Sequence, residues 1–377
     1  MNVQTLNRKQ IVDLILAVGD KCTVIIEGPM GSGKTSIYQE LRRHPKFANH
    51  VSLPQPVECT QLSDGSLWMP DIDRELGVSR ELPNSRFGVN EHNQHGVNGA
   101  RPVLLMFDEI VKAPRYIQYQ LANPIYERRL GEYHFPEGSV VFAATNMAEE
   151  GLGDAFQAHL RNRVIIVRMS SPTATEWIQW ASDNNVHPVV IAAVHLKPNV
   201  MHNFTDYDEG GKYAGLDIRD NPAIFNPRES QRGFATARSL VTASTVLHSW
   251  QQGQAFDDVT LECALAGAVG EYFAAHIMTT LWFSLSVTPF ERVVADPQNA
   301  PVSDNLTAQI VQCINFISQT ETREHAEAVV VYVKRMHAEA FTLFGSLVAN
   351  SRGVALSKFL QTKEFGTLLS DNAKFFS

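Results

Sequence analysis

Thr23-Val24-Ile25-Ile26-Glu27 followed by Gly28-Pro29-Met30-Gly31-Ser32-Gly33-Lys34-Thr35 is the stretch that decides how this chain reads. A short apolar run of buried-strand character leads directly into a match to GxxxxGK followed by Ser or Thr. Ser36 and the residues after it suit a helix. In that context the glycines let backbone N–H groups turn inward around phosphate oxygens, and the helix adds its positive N-terminal end. Lys34 is expected to reach the β- and γ-phosphates of a nucleotide, and Thr35 to ligate magnesium through its hydroxyl. ATP and Mg2+ are therefore the expected ligands of Gly28 through Ser36.

A second stretch supplies the partner chemistry. Val103-Leu104-Leu105-Met106-Phe107 is apolar throughout and ends in Asp108-Glu109. A buried parallel strand ending in a carboxylate puts Asp108 at the strand's C-terminal edge, beside the metal. Glu109 is then placed to polarise a water for attack on the γ-phosphate. A third apolar run, Val140–Thr145, ends at Asn146. That amide either holds the attacking water or simply serves a turn.

Around these motifs the first 170 residues alternate helices with short apolar strands, the pattern of a parallel sheet covered on both faces. Strands are expected at Thr23–Glu27, within Val51–Thr60, and at Val103–Asp108, Val140–Thr145 and Val164–Arg168, making a five-stranded sheet. Helices are expected after Lys34 and from Pro114, with Pro124 kinking the second. Arg129–Tyr133 and Gly138–Phe142 read as a hairpin joined through Pro136. Beyond Ser171 the pattern turns helical: Thr173 and Glu176 form a capping box, and helices are expected at Thr236–Trp250, Leu261–Leu285, Leu306–Ser318 and Arg323–Leu347. The expected organisation is an α/β nucleotide-binding core at 1–170, an all-α lid at 171–289 and a helical C-terminal extension at 290–377.

Bulk properties narrow the classes. A chain of 377 residues exceeds one compact core. A net charge of −8 argues against a nucleic-acid partner, which normally needs a basic face. Glu271 and His276 interrupt the most apolar region, Ala264–Val287, which favours a buried helix over a membrane span. Met1–Val12 has no signal-peptide pattern, and Cys22, Cys59, Cys263 and Cys313 lie too far apart for a metal or redox motif. A cytoplasmic protein with reduced thiols is expected.

Taken together, GPMGSGKT (28–35), VLLMFDEI (103–110) with VKAPRYIQYQL (111–121), ERRLGEYHFPEGSVVFAATN (127–146) and AFQAHLRNRVIIV (155–167) resemble the AAA+ ATPases, and within them the MoxR branch. With the lid, the likeness spans residues 15–250, about two thirds of the chain. It implies that Asn146 is the first sensor, and that Arg163 reaches the γ-phosphate bound to a neighbouring subunit, with Arg161 the competing candidate. Thr236-Ala237-Arg238-Ser239 resembles the start of the second-sensor helix, with Ala237 where proline is usual, and Pro227-Arg228 is a rival match. The resemblance further implies a hexameric ring of identical subunits that remodels or matures a partner protein, working with a protein that carries a von Willebrand factor A domain. The rival function is a DNA-associated AAA+ ATPase, a loader or the motor subunit of a nuclease.

Other features are weaker. In Gly65–Pro70, Trp68 and Met69 either line a pore that grips polypeptide or pack as a satellite core. His92 and His95 make an HxxH pair with no third ligand nearby. Asp206, Asp208, Gly211 and Asp217 partly echo a calcium loop, but Gly210 stands at a ligand position.

Overall fold

The computed structural model describes residues 4–84, 101–146, 162–208, 211–253, 256–350, 354–360, 362 and 365–366. They divide into two compact units, Met1–Ser171 and Pro172–Ser377.

The first unit is an α/β layer structure around a parallel sheet. Its strands are β1 (Thr5–Leu6), β2 (Thr23–Glu27), β3 (Val51–Ser52), β4 (Val57–Glu58), β7 (Val103–Asp108), β10 (Val140–Thr145) and β11 (Val164–Met169). The seven strands run in the order β1-β11-β2-β10-β7-β3, with β4 continuing on β7 beyond β3. The strand expected within Val51–Thr60 arrives as two pieces, β3 and β4, separated by a segment holding Pro54 and Pro56. Proline has no N–H for the ladder, so the pairing breaks there.

Period-two alternation explains why the central strands are apolar throughout. Val24 and Ile26 of β2, Leu104 and Met106 of β7, and Phe142 and Ala144 of β10 face helices α1 (Arg8–Val18) and α2 (Lys34–Arg43). Ile25, Leu105, Phe107, Val141 and Ala143 face the other way, toward α3 (Arg115–Ala122). Both faces are covered, so neither parity can be polar. Each fully buried Ile or Phe in these layers contributes about 1.5–3 kcal/mol.

Two antiparallel hairpins leave this sheet. β5 (Trp68–Asp73) pairs with β6 (Val78–Pro83), and β8 (Arg129–Leu130) pairs with β9 (Tyr133–His134). The second differs from the hairpin expected through Pro136. Its turn is Gly131-Glu132, and the apolar run after Ser139 is the central strand β10 instead. A run buried on both faces belongs in the sheet, which outweighs local pairing. The bend expected at Pro124 is a π-helical turn over Asn123–Glu127 that ends α3.

The second unit is helical: α4 (Ala174–Asp183), α5 (Pro188–Leu196), α6 (Ala237–Gln251), α7 (Asp258–Val269), α8 (Glu271–Ser284), α9 (Phe290–Ala295), α10 (Leu306–Gln319), α11 (Arg323–Val333), α12 (Ala338–Asn350) and α13 (Val354–Leu360). The Thr173–Glu176 capping box opens α4. α5 is buried from Val189 to Val194 and packs against α8 and α10. One continuous apolar core runs from Trp177 to Phe365.

Two helices expected to be continuous are broken. Leu261–Leu285 splits at Gly270, whose φ is +82° and whose absent Cβ would meet the Gly233 carbonyl oxygen at 2.6 Å. Only glycine allows that backbone approach. Arg323–Leu347 breaks between Val333 and Ala338.

Met201–Gln231, expected as a long loop, is largely irregular among its described residues, with short 3-10 turns at Phe204–Asp206 and Ile218–Asp220. Asp217 there pairs with Arg219, and Asp206 accepts the Asn203 N–H at 2.8 Å, so both carboxylates are engaged locally. Gly210 and the pair His92 and His95 lie outside the described residues. Among the described residues no cluster of His, Cys, Asp or Glu could hold a metal, and no helix is long and apolar enough to cross a membrane.

Candidate active site

The phosphate-loop motif sits where β2 ends. β2 lies between β10 and β11, and the register pairs Thr145 with Glu27, so Asn146 lies beside Gly28. β7 pairs with β10 on the far side, which brings Asp108 to the same C-terminal edge. Crevices at this edge of an open parallel sheet are where such folds bind ligands.

Within the loop, Gly31 and Gly33 adopt left-handed backbone, with φ of 68° and 92°. Gly33 also caps α2, and no side chain closes that helix start. The Gly33 carbonyl accepts the Ser36 N–H at 3.1 Å, and a helix start of this kind is where backbone N–H groups can meet an anion. Ser32 is buried, and among the described residues its Oγ has no hydrogen-bond partner. A buried hydroxyl without a partner is costly unless a ligand completes it.

Lys34 is buried as well. Its Nζ donates to the Gly28 carbonyl at 2.7 Å, the Pro29 carbonyl at 2.8 Å and Asn146 Oδ1 at 2.8 Å. The ammonium is held in a cradle of oxygens, where a phosphate oxygen would be a stronger partner than a carbonyl. The hydroxyl of Thr35 donates to Asp108 Oδ2 at 2.8 Å, while Asp108 Oδ1 accepts the Glu109 N–H at 3.0 Å. A hydroxyl and a carboxylate in contact are the hard oxygen donors that magnesium prefers. The orphaned Ser32 hydroxyl, the open helix start and this oxygen pair all fit a nucleotide with its magnesium ion. On α1, Arg8 bonds both the Ser36 hydroxyl and Glu40, which ties the helix after the loop to its neighbour.

Glu109 follows Asp108 in left-handed backbone, φ 54° and ψ 40°. A non-glycine residue held there is strained, and such strain gathers at functional sites. Beneath this edge lies Cys59, whose thiol is pushed up by burial and by the nearby Glu58, Asp108 and Glu109 carboxylates. A thiol so disfavoured from ionising is no nucleophile.

Sequence reading and geometry agree on grouping Gly28 through Ser36, Asp108, Glu109 and Asn146. Arg163 is elsewhere. It precedes β11, where Val164 pairs with Thr23, so it stands at the N-terminal edge, a whole length of β2 from the loop. That separation is on the order of 16 Å at about 3.3 Å per residue. Its guanidinium lies 5.7 Å from the centroid of the Tyr126 ring, and burial pushes the Tyr126 hydroxyl up to about 12. Arg161 falls outside the described residues. Arg238, in the first turn of α6, and Arg228 are both exposed in the second unit.

Trp68 is not in a loop. It begins β5 and packs against the β7 face of the core, while Met69 is 59% exposed. Of the two residues read as a pore grip, Met69 is exposed and Trp68 is half-buried.

Lys112 and Gln118 escaped the sequence reading as site residues. Gln118 Nε2 donates to the Val111 and Ala113 carbonyls, both at 2.9 Å, and so fixes the turn after Glu109. The APxxxQ spacing contained that signal, but nothing in it assigned the role.

No protein-family model and no curated protein matches the chain. Among solved structures, it is similar to NtrX from Brucella abortus in complex with ADP, with 13% identity and a TM-score of 0.37, over 98% of this chain and 68% of that one. The ATP complex of the same protein gives 12% identity and 0.36, over 100% and 69%. A RuvB mutant from Thermotoga maritima gives 12% identity and 0.32, over 82% and 84%. At such identities and TM-scores the likeness decides nothing about the site's chemistry, which stands on the distances above.

Proposed function

We propose that this chain is an ATP hydrolase of the AAA+ type, of the MoxR branch, which works as a ring of identical subunits, a hexamer, to remodel or mature a partner protein in the cytoplasm. The observation that carries the reading is the joining of two distant motifs by two contacts. Thr35 bonds Asp108, and Lys34 bonds Asn146, all at one edge of the sheet.

Each residue then has a task. The amides of Gly31–Thr35 and the Lys34 ammonium bind the β- and γ-phosphates. Thr35 and Asp108 hold magnesium, which supplies charge neutralisation at the phosphates when bound. Glu109 takes the proton as water attacks the γ-phosphorus and the bond to the bridging oxygen breaks. Asn146 aligns that water.

Arg163 acts on the nucleotide of a neighbouring subunit. Its distance from its own loop exceeds the reach of an arginine side chain, and this favours an assembly over a monomer. In the same reading residues 171–289 form a lid over the nucleotide, with Arg238, or Arg228 in its place, as second sensor. Residues 290–377 extend it. A von Willebrand factor A domain protein is the expected companion, and Met69 a contact for the substrate polypeptide.

The test is affinity capture with Glu109→Gln in ATP, paired with particle imaging. The variant should bind ATP, stop hydrolysis and retain rings with a trapped protein. Hydrolysis unchanged by Glu109→Gln would end the catalytic assignment, and monomers in ATP would end the ring. Salt-sensitive capture of DNA instead of protein would move the reading to a DNA-associated ATPase.

A further inference from the structure

Arg8 stands at the phosphate-loop edge of the sheet because of where the chain enters it. β1 pairs with β11 in parallel, with Leu6 opposite Met169, and the Ser170 N–H donates to the Leu6 carbonyl at 3.0 Å. β1 therefore runs toward the same C-terminal edge as β2, and α1 starts there. Asn7 and Gln10 cap α1 reciprocally, each side-chain oxygen accepting the other's N–H at 2.9 Å, which fixes Arg8 as the first helical residue. Met169 in turn abuts the loop: a Cβ on Gly28 would lie 3.1 Å from its Cβ.

From this position the side chain crosses to α2. Nε and Nη2 of Arg8 both donate to Glu40 Oε2, at 2.9 and 2.7 Å, and Nη2 also donates to the Ser36 carbonyl at 3.2 Å. With the planar fork held in this way, Nη1 bonds the Ser36 hydroxyl and lies 3.9 Å from where a Cβ on Gly33 would stand. Nη1 carries a second N–H beyond the one given to Ser36. A fixed cation thus stands against the first turn of α2, beside the loop.

Strand order decides which end of a nucleotide it would meet. The strands run β1-β11-β2-β10-β7. Lys34 and Thr35 bond Asn146 and Asp108, at the ends of β10 and β7, so the γ-phosphate and its metal belong on that side of β2. Arg8 comes from β1, on the opposite side. A polyphosphate with its γ end toward β7 presents its α-phosphate toward Arg8. The buried Ser32 hydroxyl, unpartnered among the described residues, is an independent sign that the loop is built for such a ligand.

We infer that Arg8 is a nucleotide contact, its Nη1 donating to a non-bridging oxygen of the α-phosphate, with Glu40 the positioning residue that orients it. The inference rests on the nucleotide reading of the loop and adds a contact from a segment one helix and one strand upstream. Arginine and phosphate form a charge-assisted bond. Because ATP and ADP share the α-phosphate, Arg8 should strengthen both alike and hold product as firmly as substrate.

The test is calorimetric titration of the full chain with ADP and with the two α-thio diastereomers of ADP. EDTA replaces magnesium, so that no metal preference enters. Sulfur accepts a hydrogen bond poorly, so wild type should bind one diastereomer roughly fivefold or more weaker than the other. Arg8→Met should bind ADP roughly tenfold weaker and bring the two diastereomers together. Glu40→Gln should move both readings the same way by less. Arg8→Lys, which keeps the charge but not the fork, should hold the wild-type Tm while the diastereomer preference falls.

Equal binding of the two diastereomers by wild type would overturn the contact. So would a preference unchanged in Arg8→Lys, which decides the matter even if Arg8→Met fails to fold. An arginine that only ties α1 to α2 would lower Tm in Arg8→Met yet leave ADP affinity within about twofold. A wild-type chain that binds no ADP, with or without magnesium, would sink the nucleotide reading and this contact with it.

Discussion

The two edges of the parallel sheet are chemically unlike. At the C-terminal edge, three strand ends bring Lys34, Thr35, Asp108, Glu109 and Asn146 into one network. At the N-terminal edge two arginines do different work. Arg128 is buried and donates to the carbonyls of Gly19 and Val141, at 3.0 and 3.2 Å, and burial pulls its guanidinium down to about 10. Arg163 is exposed and lies over Tyr126. Arg128 ties the end of α1 to β10, whereas Arg163 is at the surface. Because all strands point the same way, the loop and Arg163 cannot meet within one sheet. A site that needs both must draw on two chains.

The comparison is broken most directly by removing each edge in turn. Lys34→Ala should take ATP turnover to the assay floor, a loss on the order of 10³-fold or more, with nucleotide binding lost in a fluorescent-analogue titration. Arg163→Ala should lose roughly 10³-fold in turnover while keeping its nucleotide affinity. Mixing the two inactive variants should recover part of the activity, since one supplies an intact loop and the other an intact arginine. No recovery, despite mixed assemblies seen by native mass spectrometry, would place the two edges in separate functions.

A smaller effect sharpens the loop edge. Asn146→Ala should reduce kcat by roughly 10–100-fold with little change in KM, as expected of a group that orients water and does not bind substrate. A rise in KM at constant kcat would make Asn146 a nucleotide contact instead. The smallest effect should come from Gln118→Ala, which leaves two carbonyls unpaired and costs about 2 kcal/mol of stability. Calorimetry should record this as a Tm lower by several degrees.

Legibility tracked how local each feature is. The loop needed only a strand, glycines and a helix start in succession, and all are adjacent in the chain. Asp108 was legible because an apolar run ending in an acid is a buried strand reaching its edge. The β8–β9 hairpin was misread because the run from Val140 to Thr145 had two candidate fates, and burial on both faces decided for the sheet. Gly270 gave no warning of its break, because the reason is the backbone of Gly233, far away in sequence.

The sequence by itself determined the residue types and their order: a phosphate loop after an apolar strand, an acid pair after another, an amide after a third, and an arginine before a fourth. Those are consequences of spacing along the chain. Only the tertiary structure decided which of them share a place. Parallel pairing put Asn146 beside Gly28 and set Arg163 a strand's length away. A left-handed residue and a buried glutamine turned Lys112 onto Glu109. Spacing controls what a segment can form, whereas strand direction, burial and turn conformation control what its side chains meet.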